Sequence, residues 1–270
     1  MSTSARIAYE TCPLCESTDR YIVKKEDCSQ HLLYDPIIPP VITWVACAAC
    51  DHVFTDGYFS VEAQRVIFSR TEANQVVGHD LENQRHVSAR IIKRVAHYID
   101  KGDWLDVGFG NGSLLFTAEE WGYTPVGIDL RDDNVRIFRD LGFEAHSLPV
   151  EAFDHPGRFS VVSMADVLEH MPFPCLGLQA VHRLLRPNGV LFISTPNMGS
   201  IVWQFLDHKK NNPYWGAIEH FHNFSRERLY ALLRTHGFTP VHYDVSKRYR
   251  VCMEIVAVKE QGYGSTQCSG

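Results

Sequence analysis

Residues 103–115, Asp-Trp-Leu-Asp-Val-Gly-Phe-Gly-Asn-Gly-Ser-Leu-Leu, decide how this chain is read, because they pass from strand to glycine turn to helix within thirteen positions. Trp104, Leu105 and Val107 form an apolar strand end. Gly108, Gly110 and Gly112 leave the turn without side chains, and a helical pattern begins at Ser113. Such a turn presents backbone N–H groups and a helix N-terminus to a ligand. The spacing is G-x-G-x-G, with Ser113 where a dinucleotide fingerprint has its third glycine, so the turn is not built for a pyrophosphate. A second strand, expected over 124–130, contains Asp129, where a carboxylate accepts hydrogen bonds from both hydroxyls of a ribose. A nucleoside without phosphates fits both features. A strand-to-helix connection with no ligand is the competing reading, which Asp106 in the turn and Asp129 at its offset disfavour.

The 270 residues, 45% of them hydrophobic, supply one large α/β domain and a small appendage. A net charge of −6 argues against a broad nucleic-acid footprint. No run approaches the ~18 apolar residues of a membrane span. The first twenty residues carry charges and two cysteines instead of an apolar signal core, which points to the cytoplasm.

Two Cys-x-x-Cys knuckles, Cys12/Cys15 and Cys47/Cys50, are separated by thirty-one residues. In a reducing compartment four thiolates suit a tetrahedral Zn²⁺ rather than disulfides, and a closed site of this kind is structural. Cys28, His31 and His52 are alternative ligands. Cys175, Cys252 and Cys268, like Cys28, follow no pattern. Between the knuckles 35–40 is a turn or extended segment, and 41–46 a strand.

A helical pattern covers about 61–99, with Val87, Ile91, Ile92, Val95 and Ile99 on one face. After Asp129 the sequence predicts a helix over 132–141 and a strand over 143–146, then an apolar strand over 158–165 ending in Asp166-Val-Leu-Glu169-His170. A helix over 179–185 stops at Pro187-Asn188-Gly189 before a strand over 190–194. Ser225 is a helix N-cap for 226–235, and strands over 238–245 and 249–258 are joined so closely that they must be antiparallel.

The motifs Leu105-Asp-Val-Gly-Phe-Gly-Asn-Gly112, Gly127-Ile-Asp129, Asp166-Val-Leu-Glu-His170 and Leu184-Leu-Arg-Pro-Asn-Gly-Val-Leu-Phe-Ile-Ser-Thr-Pro-Asn197 resemble those of class I S-adenosylmethionine-dependent methyltransferases. The resemblance covers about 80–258. It implies a Rossmann-like, seven-stranded, mostly parallel sheet with one antiparallel strand, beside a small N-terminal zinc-binding β module. It also implies S-adenosylmethionine as cofactor and S-adenosylhomocysteine as product. By that resemblance Asp106, Gly108 and Gly110 lie beside the methionine moiety, Asp129 holds the ribose with Leu130 next to it, Leu148 borders the adenine, and Asp166 lies beneath the sulfonium. Phe109 stands where that family has a small residue or cysteine. The expected division is a zinc-binding module at 1–57, a helical linker or lid at 58–100, the methyltransferase domain at 101–258 and a disordered tail at 259–270.

Residues 197–224 are rich in aromatic and histidine side chains, and Glu219-His220-Phe-His222-Asn-Phe-Ser225 resembles a run in methyltransferases acting on sugars and other small natural products, some with a two-knuckle zinc module. A hydroxyl or activated carbon must lose a proton before it takes a methyl group, and a histidine can accept it. His220 is the expected base, with Glu219 orienting it, His222 second and His170 third. The expected partner is a small-molecule acceptor, with no membrane. The zinc module is compatible with a homodimer contact. An RNA methyltransferase is the first alternative, disfavoured because residues 1–60 hold four cations, Arg6, Arg20, Lys24 and Lys25, against eight acids. A non-catalytic nucleoside-binding scaffold is the second.

Overall fold

The computed structural model describes residues 5–68, 73–249 and 251–261. The end of the expected tail and Cys268 lie outside them. The N-terminal part carries β1 (Arg6–Ala8), β2 (Arg20–Asp27), β3 (Val41–Cys47), β4 (Val53–Thr55) and β5 (Gly57–Phe59), then α1 (Val61–Phe68) and α2 (Leu81–Ala96). Next come β6 (Gly102–Val107), α3 (Ser113–Glu120), β7 (Tyr123–Ile128), α4 (Asp132–Asp140), β8 (Glu144–His146) and β9 (Phe159–Ala165). The chain continues through α5 (Pro174–Leu184), β10 (Leu185–Pro196), α6 (Ile201–His208), β11 (His222–Asn223), α7 (Arg226–Thr235), β12 (Phe238–Val245) and β13 (Cys252–Lys259).

These elements form two compact units, neither continuous in sequence. The first is Met1–Arg70, Glu169–Pro174 and Pro196–Leu229, and the second is Thr71–Leu168, Cys175–Thr195 and Tyr230–Gly270. The expected segments at 1–57, 58–100 and 101–258 are linear, whereas the folded units interleave. Residues 196–229 group with the cysteine-bearing N-terminus, and α2 groups with the large sheet.

The second unit is built on a seven-stranded sheet in the order β12-β13-β10-β9-β6-β7-β8. β6 pairs in parallel with both β7 and β9, and β12 with β13 antiparallel. This is the expected Rossmann-like sheet. The strand order reverses at β6, and in open sheets a ligand binds beyond the carboxyl end of the strand at such a switch point. β6 and β9 are buried almost throughout, as strands covered by helices on both faces must be. Trp104, Leu115, Phe138, Val161 and Phe192 belong to one apolar core, and the indole N–H of Trp104 donates to Ser163 Oγ at 2.8 Å. Arg94 of α2 pairs with Asp244 of β12 and with the buried Glu254 of β13.

Three local differences from the sequence reading have plain causes. The expected helix over 179–185 begins at Pro174, since a proline suits the first helical position, where no N–H is needed. Its last carbonyls are capped by Lys259 Nζ, which donates to the oxygens of His182 and Leu185 at 2.6 and 2.7 Å. The helical pattern over 61–99 is interrupted by a 3-10 turn at Ala73–Gln75, and α2 starts after Asp80, which has a φ of 47°. β13 starts at Cys252, whose N–H donates to the Tyr249 carbonyl at 2.8 Å and so is turned away from the strand ladder.

The first unit has a four-stranded sheet in the order β11-β4-β3-β2 and a β1/β5 pair. β11 was not expected: His222 pairs with Phe54 and Asn223 with Val53, so a late segment completes an early sheet. Tyr9, Cys12, Val45, Cys47 and Phe54 share a small core. No helix among the described residues is long and apolar enough to cross a membrane.

Candidate active site

In the second unit β6 delivers Asp106 and the glycine turn to the carboxyl edge of the sheet. Asp106 is 3% exposed and accepts from Ser163 Oγ at 2.5 Å. Burial pushes its carboxyl up to about 7, the Ser163 hydrogen bond and Arg248 pull it down, and Asp129 adds to the rise. Gly108, Gly110 and Gly112 all have positive φ, 69°, 53° and 77°, which explains why the turn needs glycines. Their surroundings differ. A Cβ at Gly112 would strike the Phe116 ring at 2.8 Å, whereas one at Gly110 would meet only the Gly108 carbonyl, at 3.9 Å. Gly112 therefore serves packing, and Gly110 leaves backbone open to a ligand. Phe109, where the resembling family is small, turns into the core: its ring lies 4.8 Å from that of Phe138 and fills the space above Gly127.

Asp129 follows β7 and is 2% exposed. Its Oδ2 accepts from the Gly110 N–H at 3.1 Å and from Arg131 Nη2 at 2.8 Å. Its Oδ1 accepts from the Arg131 backbone N–H at 2.9 Å and from Arg131 Nε at 2.8 Å. The four lone-pair positions of the carboxylate are filled, two of them by a guanidinium fork that offers two parallel donors as a vicinal diol would. Leu130 is exposed, Leu148 half-buried. Asp166 has a φ of 56°, accepts from Ser194 Oγ at 2.8 Å, and its backbone N–H donates to the Ser194 carbonyl at 2.8 Å, so β9 and β10 fix it at their ends.

The sequence reading missed a strap over 74–78. Asn111 Nδ2 donates to the Asn74 carbonyl at 3.2 Å, Asn134 Nδ2 donates to the Gln75 and Gly110 carbonyls at 3.0 and 3.1 Å, and Arg131 Nη1 donates to Gln75 Oε1. Nothing in the local pattern of 74–78 signals this, because its partners lie in distant turns.

In the first unit, two separate segments are laced together. The Phe221 N–H donates to the Glu169 carbonyl at 2.8 Å, His170 Nδ1 to the Glu219 carbonyl at 2.9 Å, and His222 Nε2 to the Met171 carbonyl at 3.0 Å. The rings of His170 and His220 meet edge to face at 4.7 Å. Glu219 Oε2 lies 3.7 Å from His31 Nε2. His222, expected as the second candidate base, also contacts His52 Nε2 through Nδ1 at 3.0 Å, so both its ring nitrogens are engaged and its place is structural. Burial, with the neighbouring His170, lowers His220 to about 3, Glu219 acting against the shift. Burial thus disfavours the charged form of His220. What it offers is a neutral lone pair.

The four expected cysteines come together. Each sulfur is within 4.8 Å of the others, with Cys12–Cys50 at 3.8 Å and Cys15–Cys47 at 3.5 Å. Around a tetrahedral ion with Zn–S of about 2.3 Å, sulfurs stand about 3.8 Å apart. The knuckles are alike: the Glu16 N–H donates to the Cys12 carbonyl and the Asp51 N–H to the Cys47 carbonyl, both at 2.9 Å, and both acids have positive φ, 62° and 58°. Thiol donation from Cys12 holds Cys50 down to about 5, giving a thiolate ready for a metal. Cys12, Cys15, Cys47 and Cys50 therefore fit a structural Zn²⁺. The alternative ligands stand elsewhere, Cys28 donating to the Pro40 carbonyl at 3.2 Å and His52 facing His222.

Residues 81–243 match the family described as a methyltransferase domain. The ubiquinone biosynthesis O-methyltransferase of Thiobacillus denitrificans is 37% identical over 101 residues, 34% of this chain and 44% of that protein. Its counterpart from Pseudomonas paraeruginosa is 32% identical over 109 residues, 37% of this chain and 47% of that protein. The chain thus spans less than half the length of these relatives. Among solved structures, the 1,6-didemethyltoxoflavin-N1-methyltransferase of Burkholderia thailandensis, with bound S-adenosylhomocysteine, superposes with a TM-score of 0.58 at 20% identity, covering 78% of this chain and 96% of that one. The magnesium protoporphyrin IX methyltransferase of Synechocystis gives 0.52 at 18% identity, covering 66% and 84%. At these identities the structures establish a shared fold.

Proposed function

We propose, because this chain belongs to the methyltransferase-domain family, that it transfers the methyl group of S-adenosylmethionine to a hydroxyl oxygen of a small molecule. The observation that carries the reading is the Gly110–Asp129 contact: a turn open at Gly110 and hydrogen-bonded to a buried carboxylate at the end of the next strand. That pair suits a ribose and leaves no built place for phosphates. Asp129 holds the ribose hydroxyls once Arg131 withdraws, Asp106 and the Gly108–Gly110 backbone face the methionine end, and Leu148 borders the base. S-adenosylmethionine supplies a methyl group on an already activated sulfonium, so positioning by the protein accounts for much of the rate.

Oxygen as the acceptor atom is supported by the O-methyltransferase names of the relatives. The acidic balance of residues 1–60 supports a small molecule rather than a phosphate backbone. The gathering of Cys12, Cys15, Cys47 and Cys50 as one ligand set, in place of disulfides, supports a reducing compartment, the cytoplasm. Zn²⁺ at the four cysteines is part of the same proposal and serves the fold.

Calorimetric titration with S-adenosylmethionine and S-adenosylhomocysteine tests the reading. One site is expected, weakened at least about tenfold by Asp129→Ala, since hydrogen bonds to a charged acceptor contribute ~1.5–3 kcal/mol. Binding that is absent, or equal in the variant, overturns it.

A further inference from the structure

We infer that Glu169, His170 and His220 form a second metal centre, a site for a divalent first-row cation. One ligand atom from each residue lies within 4.8 Å of the others, and all three belong to the first unit. The cluster is assembled rather than incidental: Phe221 N–H on the Glu169 carbonyl and His170 Nδ1 on the Glu219 carbonyl tie its two segments together at 2.8 and 2.9 Å. The second bond also fixes a tautomer. With Nδ1 carrying the proton, His170 is left with the Nε2 lone pair, and a ring N–H donated to a carbonyl is how metal-binding histidines are oriented. His220 is 8% exposed, and its Nδ1 has no hydrogen-bond partner. Buried ring nitrogens are normally satisfied, so this one points to a ligand. Glu169, 1% exposed, supplies the negative charge beside the two imidazoles, and Glu219 adds a second carboxylate nearby.

Two imidazoles and one carboxylate differ in kind from the four thiolates. Such a set favours a borderline cation such as Fe²⁺, Co²⁺ or Zn²⁺, and three protein ligands leave positions open for oxygens of another molecule. A hydroxyl bound at such an open position becomes more acidic and gives its proton to solvent.

The test is titration of the Zn²⁺-loaded protein with Co²⁺, followed by visible absorption and metal analysis. One equivalent is expected to bind with weak d–d bands and without the intense sulfur-to-cobalt bands of a thiolate site. A second equivalent of Zn²⁺ already in place, lost in the variants below, counts the same. Glu169→Gln and His220→Ala should each weaken binding at least about 100-fold, the upper end of what losing an outer-shell partner costs. Zinc at the four cysteines and the circular dichroism spectrum should be retained, and His220→Gln is the second variant should Ala perturb the fold. No uptake beyond the cysteine cluster, or unchanged affinity in the variants, overturns the inference. S-adenosylmethionine calorimetry on the same samples separates the two readings. Donor binding without Co²⁺ uptake removes only the cation site, and Co²⁺ uptake without donor binding removes only the proposed function.

Discussion

Replacing Asp106 by Asn tests whether the donor side of the site is maintained at the expense of stability. Burial raises this carboxyl to about 7, against 3.8 for the ordinary group. Between those values the folded state binds more protons than the unfolded one. The linked stability is therefore fully present below about pH 4 and is lost as pH rises through about 7. At about 1.4 kcal/mol per pH unit the full loss is ~4 kcal/mol by pH 8, as an upper figure, and ~2 kcal/mol at pH 5. Asp106→Asn keeps an oxygen for the Ser163 hydroxyl and carries no charge, so it escapes the loss. Urea unfolding at pH 5, 6, 7 and 8 should show the variant gaining ~2–3 kcal/mol on the wild type between pH 5 and pH 8. An unpaired amide N–H would shift every pH alike and leave that slope intact. The same variant should bind S-adenosylmethionine more weakly, because the donor brings positive charge to a carboxylate. A stability difference that does not change with pH would refute the reasoning.

A Cβ at Gly127 falls 2.6 Å from Phe109 Cδ1, so Gly127→Ala should cost ~1–3 kcal/mol in a thermal or urea melt, and adding Phe109→Leu should recover part of it. Arg94→Leu leaves the carboxylate of Glu254, 3% exposed, without its guanidinium; a loss of ~3–5 kcal/mol is expected, relieved by Glu254→Gln. Cys47→Ser should lower bound zinc by metal analysis and lower the melting temperature of the protein, as a chelator does for the wild type; unchanged zinc content would count against the four-thiolate site.

Features fixed by near neighbours could be read from the sequence. Positive φ at Gly108, Gly110 and Gly112 is a property of single residues, and the parallel sheet follows from alternating apolar strands and helices. Asp129 is set by its distance along the chain from the turn, and each Cys-x-x-Cys knuckle closes on its own backbone. Even the four-cysteine cluster follows from two local turns and one shared ligand chemistry. What depends on contacts between distant residues was decided only in three dimensions. His222 looked like a catalytic histidine until β11 paired with β4 and both its nitrogens were engaged. Phe109 looked out of place until its ring was seen over Gly127, and the strap at 74–78 and the Arg131 fork on Asp129 have no local signature. Glu169 and His170 reach His220 across fifty residues of chain because hydrogen bonds hold the two segments side by side, and burial there lowers the imidazole of His220. Burial and pairing are sums over the whole fold, so the order of amino acids sets which groups are available, and only their packing sets which of them meet.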